Sequence, residues 1–88
     1  MRAEHVVRHP AARWRRCVDG IVVMAPDARE PVFLPAPGDA IWILLATPRT
    51  VDELVDELSA QYEEGRAIIA HDVAAFLAQL DRTGLVGR

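Results

Sequence analysis

Eighty-eight residues with 51% apolar and 26% charged side chains make one globular domain with little energy to spare. The formal net charge of −3 is uneven: residues 1–20 carry five arginines against Glu4 and Asp19, and the remainder is acidic, with no lysine anywhere. An acidic body without a basic stripe argues against nucleic-acid binding. The single Cys17 rules out an internal disulfide and suits a reducing cytoplasm. No stretch approaches the ~20 apolar residues of a membrane span, and the Arg- and His-containing start lacks the apolar run of a signal peptide.

Met1 to Pro10 has no clear period and reads as a loose arm or a first short strand, so residues 1–12 are set apart as a flexible arm and 13–88 as the domain. Arg13 to Val18 alternates imperfectly, with Trp14 either covering a sheet face or exposed for a partner. Asp19-Gly20 is a favoured pair for a two-residue hairpin turn, and Ile21 to Ala25 follows as a β-branched strand. Pro26 to Glu30 is turn-rich. Pro31 to Leu34 then reads as a third strand, closed by Pro35. Proline gives no N–H to a ladder, so this strand belongs on a sheet edge. An apolar strand left on an edge needs a reason, because another chain can pair with it.

After Pro35 the period becomes helical. Pro37 suits a first turn, Asp39 complements the helix dipole, and Ala40, Ile41, Leu44 and Leu45 form an apolar face that ends at Pro48. Thr50 and Glu53 make a capping box for a second helix with a Leu54, Val55, Leu58, Tyr62 stripe, and Gly65 suits a left-handed stop. A third helix from about Ile68 to Thr83 packs Ile69, Val73, Phe76, Leu77 and Leu80, and Gly84 follows it as a stop before Leu85 and Val86. Three strands then three helices make an α+β domain of winged-helix character, β-β-β-α-α-α.

Catalytic chemistry has little to stand on. His5 and His9 are four apart, but Val6, Val7 and Pro10 disfavour a helix there, and no cysteine or carboxylate completes a metal set. Cys17 beside Arg15 and Arg16 reads as a packed or exposed strand residue, and no nucleophile, phosphate-loop or paired-carboxylate motif occurs. No enzyme activity and no cofactor are expected.

In this order the elements resemble the PqqD-like proteins, the RiPP recognition element family. The resemblance runs from Trp14 to Val86, over "CVDGIVVMAP", "VFLPAPGDAIWILL" and "TVDELVDELSAQY" with "AHDVAAFLAQLDRTGLV". It departs at the strand exit, where lasso-peptide members carry an aromatic pair and Leu-Asn and this chain has Val32-Phe33-Leu34-Pro35. The resemblance implies a stand-alone module, in a pathway such as lasso-peptide biosynthesis. Such a module binds a precursor leader peptide by strand addition and delivers it to a leader peptidase or other maturation enzyme. The expected peptide site is Pro31, Val32, Phe33 and Leu34 on the strand with Asp72, Phe76, Gln79, Leu80 and Thr83 on the last helix. Val32, Phe33 and Leu34 can supply backbone donors and acceptors, and Pro31 and Pro35 carbonyls only. The opposite flank of that helix, with Ala70, Ala74 and Asp81, is the other candidate wall. A homodimer through the same edge and a winged-helix DNA-binding regulator are the alternatives. The second is opposed by Asp72 and Asp81 beside Arg82.

Overall fold

The computed structural model describes residues 5–87. Chain order is β1 (Val7–Arg8), β2 (Arg13–Cys17), β3 (Gly20–Met24), β4 (Val32–Pro35), α1 (Gly38–Leu44), α2 (Val51–Gln61), α3 (Arg66–Arg82) and β5 (Val86–Gly87). β2, β3 and β4 form an antiparallel meander with the expected edge position for β4. The helices cover its inner face. Ile21, Val23 and Leu34 point from the sheet into a core completed by Ile41, Trp42 and Leu45 of the first helical segment, Leu54, Val55 and Leu58 of α2, and Ile69, Val73, Leu77 and Leu80 of α3.

The hairpin turn falls one residue earlier than the sequence suggests. Cys17 pairs with Gly20, so Val18 and Asp19 form the loop and Gly20 is already in β3. The glycine is used for close approach. A Cβ there would run into the Leu34 carbonyl oxygen of β4 and come within 3.1 Å of the Phe33 ring.

The helix ends are mostly as their sequence signals demand. Thr50 Oγ1 accepts the Glu53 N–H at 3.1 Å, and the Glu53 carboxylate accepts the Thr50 N–H at 2.8 Å. The bond from the Thr50 backbone holds the Glu53 carboxyl below its usual 4.5. The folded chain therefore keeps Glu53 ionised more strongly than the unfolded chain does. Its stabilisation is present above that usual value and is lost as pH falls through the lower folded one. Thr50→Ala should lower unfolding free energy by about 1 kcal/mol in urea titrations. In Glu53→Gln, the fall in urea midpoint between about pH 5 and pH 3 should be shallower than in the parent chain. An equal fall would remove Glu53 as its source.

Gly65 is not a left-handed stop. Chain leaves α2 through Tyr62 in an extended conformation, and Gly65, at φ −62° and ψ 146°, is the N-cap of α3, which begins at Arg66 rather than Ile68. Gly84 does take φ +74°. Its N–H bonds the Asp81 carbonyl at 3.2 Å and that of Leu85 the Leu80 carbonyl at 2.9 Å, closing α3 as a Schellman motif. In α1 the buried face is Ile41 and Trp42, with Leu45 behind them; Leu44 is only half-buried. Pro37 is the N-cap rather than a residue of the first turn.

Residues 1–4 of the expected arm lie outside the described residues. The following stretch contributes to the fold. Val6 is buried and exchanges backbone bonds of 2.7 and 2.9 Å with Arg49, and β1 pairs antiparallel with β5. Arg8 lies over the rings of Trp14 and Trp42, 4.9 and 5.6 Å from their centroids, so Trp14 is half-buried against the core. Among the described residues, no helix is long and apolar enough to cross a membrane.

Candidate functional site

The backbone of β4 divides by register into groups facing β3 and groups facing outward. Cys17 and Gly20 close a two-residue loop, which makes them a hydrogen-bonded pair. Alternation then turns the backbone groups of Gly20, Val22 and Met24 toward β2, and those of Ile21 and Val23 toward β4. Their partners Leu34 and Val32 bond inward, and the Leu34 carbonyl against Gly20 agrees with this. Phe33 and Pro35 therefore turn their backbone groups outward. The two prolines lose nothing by lacking an N–H, since Pro35 sits at an outward position and Pro31 just before the strand. The sequence expectation that Val32, Phe33 and Leu34 all offer donors is corrected: the outward donor of β4 is the Phe33 N–H, with carbonyls of Phe33 and Pro35 beside it.

Among the described residues, no strand pairs with this outer edge. The N-terminal segment that could have sealed it is engaged elsewhere, with β5 and Arg49. Side chains of Val32 and Leu34 point into the core, and Phe33 lies on the opposite sheet face across from Val22, 50% exposed.

Phe76 places its ring on Gly38, just past the C-terminal end of β4; a Cβ on Gly38 would meet Cε1 at 2.7 Å and Cζ at 2.9 Å. Seven residues on, Thr83 and Gly84 share a surface depression with Ala25 to Ala28, the loop that leads into β4. Seven helical residues rise about 10 Å, and four strand residues span about 13 Å, so this part of α3 matches β4 in length. Phe76 thus reaches Gly38 beyond one end of β4, and Thr83 the loop before the other. Asp72, Gln79 and Thr83 are exposed and Phe76 is half-buried. Leu80 is not a wall residue: it is fully buried and belongs to the core. The Thr83 hydroxyl donates to the Gln79 and Leu80 carbonyls at 3.2 and 3.0 Å, finishing its own helix.

Sequence reasoning missed Gly38 as the seat of the Phe76 ring. The small-residue run Ala36-Pro37-Gly38 carried that signal. It also gave no hint that His9 is a turn residue, its Nδ1 accepting the Ala11 N–H at 3.0 Å. Among the described residues no group of three or more His, Cys, Asp or Glu is placed to hold a metal ion.

Comparison with known proteins gives the family and the fold. The family model for coenzyme PQQ synthesis protein D, PqqD, matches residues 20–86. Among solved structures, the chain is similar to the PqqD truncation of Methylobacterium extorquens PqqCD, determined in solution by NMR. That protein represents a functional, stand-alone recognition element for ribosomally synthesised and post-translationally modified peptides. The two share 23% identity with a TM-score of 0.79, over 96% of this chain and 89% of the other. No match was found among curated proteins.

Proposed function

The chain belongs to the PqqD family, and we propose that it binds the leader segment of a ribosomally made precursor peptide as an added strand on β4. It then presents that leader to the enzymes that process it. The observation that carries this reading is the outer edge of β4, which no strand among the described residues pairs, with the Phe76 ring of α3 at Gly38 just past its end. Main-chain bonds to the edge supply affinity, and the side-chain surfaces on either side of it supply selectivity. Pro31, Val32, Phe33 and Leu34 provide the strand. Asp72, Phe76, Gln79 and Thr83 provide the helical wall, and Leu80 supports it from the core. The role is one of binding rather than catalysis, without a cofactor, in a reducing cytoplasm. The enzyme served is a leader peptidase or another maturation enzyme of such a pathway, lasso-peptide clusters included. A DNA-binding role has weak support, since the two arginines of α3 lie at its ends and Arg66 is bonded to Asp56 at 2.6 Å.

A fluorescent synthetic peptide spanning the leader encoded next to this chain's gene tests the reading by anisotropy. Ordering a flexible leader takes about 2–5 kcal/mol from the gross contact energy, so the contacts must be extensive. Saturable binding of the leader, with none of a peptide from the mature product segment, is the expected outcome. A leader that fails to bind at protein concentrations up to about 1 mM, a free energy of only about −4 kcal/mol, sinks it.

A further inference from the structure

We infer that the β4 edge takes an antiparallel peptide through four backbone bonds, two exchanged with the residue opposite Phe33 and one donated to each flanking proline carbonyl, and so selects segments with free amide N–H groups at three alternate positions and disfavours a second copy of this chain. This rests on the strand-addition reading above and adds to it what the prolines do.

An ordinary edge strand repeats a donor and an acceptor at every second residue, so it can pair with any strand, a second copy of itself included. With the alternation carried one residue beyond the strand, the outward series is Pro31, Phe33, Pro35, and its only N–H is that of Phe33. An antiparallel visitor can exchange bonds in both directions with Phe33 alone. Its residues two before and two after can each donate to a proline carbonyl but receive nothing back. That makes four bonds in the centred register. A visitor with a proline or an N-methyl group at any of the three positions forfeits the bond made there.

The same count disfavours a second copy of this chain as the occupant. Two β4 edges paired antiparallel about Phe33 would exchange bonds there. They would also set Pro31 of one copy against Pro35 of the other, two carbonyls with no donor between them. A leader peptide brings the missing donors; a second copy does not. The edge thus admits a foreign strand more readily than its own, which is the function of edge prolines in limiting self-association.

Two measurements test this. In the chain alone, amide exchange followed by NMR should show the Phe33 N–H exchanging at least about 100-fold faster than those of Val32 and Leu34. Equal protection of all three overturns the register. In the complex, an N-methyl scan of the leader peptide should find three sensitive positions spaced two apart, each weakening binding about 3- to 10-fold, with the positions between them tolerant. A peptide that binds but shows consecutive sensitive positions, or none, overturns the inference and leaves strand addition itself in question. A leader that does not bind at all overturns the reading of function and is seen before any scan begins; the exchange measurement on the free chain still judges the register.

Discussion

Trp42→Ala is expected to leave the chain largely unfolded at 37 °C. Trp42 is fully buried, the largest of the core side chains, on α1, which packs against both β3 and β4. Truncating a buried tryptophan costs about 3–5 kcal/mol, since the lost transfer energy is joined by the cavity left behind. A domain of this length has a total stability on the order of 4–13 kcal/mol. The variant would therefore lose between about a quarter and all of it, and its Tm should fall by roughly 15–30 °C. The Arg8 guanidinium, which lies over this ring and that of Trp14, would lose one of its two aromatic faces. Trp42→Phe should cost much less than the alanine change. It keeps most of the apolar volume and removes an indole N–H that is buried without a hydrogen-bond partner. Thermal melts of the two variants against the parent chain decide the matter. An alanine variant melting within a few degrees of the parent would show that α1 is not the keystone of this core.

The sequence revealed most where a local interaction determines local structure. The Thr50–Glu53 box and the Gly84 stop were legible because each involves only residues within a few positions of one another. Gly65 and Gly20 misled for the same reason in reverse. Both resemble local turn signals, but Gly65 caps the following helix, and Gly20 makes room for a carbonyl of β4 that is distant in sequence. β5 was not legible, and β1 only as one of two alternatives, because two-residue strands that join the chain's ends carry no periodicity. In the site, the flanking prolines identified the edge strand at once. Which of its amides face outward depends on the pairing register across all three strands, and the register followed from a turn placed one residue away from its sequence signal. Leu80 sat at the border of the helical stripe, where a wheel cannot separate core from wall; its complete burial assigns it to the core.

Phe76→Ala should weaken leader binding by about 30-fold or more, because an aromatic anchor in a packed setting commonly contributes 2 kcal/mol or more to an interface. The ring is half-buried and rests on Gly38, the first residue of α1, just past the end of β4. A visiting strand centred on Phe33 would extend past Pro35 toward this ring. Its removal would erase apolar contact and the shape of that end of the groove together. Full burial would put the folding cost at about 3–5 kcal/mol; at half that burial, a loss of roughly 2 kcal/mol leaves a chain that is still mostly folded in the cold. Near-UV circular dichroism at about 10 °C, near the temperature of maximum stability, verifies the fold before each titration. Gly38→Ala supplies the complementary test, since it keeps the ring but places a Cβ within 3 Å of two of its carbons and must displace it. Its effect on binding should have the same sign and a smaller size, several-fold rather than tens-fold. Both variants act through one ring, so the double variant should bind no more weakly than Phe76→Ala alone. Additive losses would mean that Gly38 matters to the peptide by another route, and an unchanged affinity in a folded Phe76→Ala chain would place the groove on the other flank of α3.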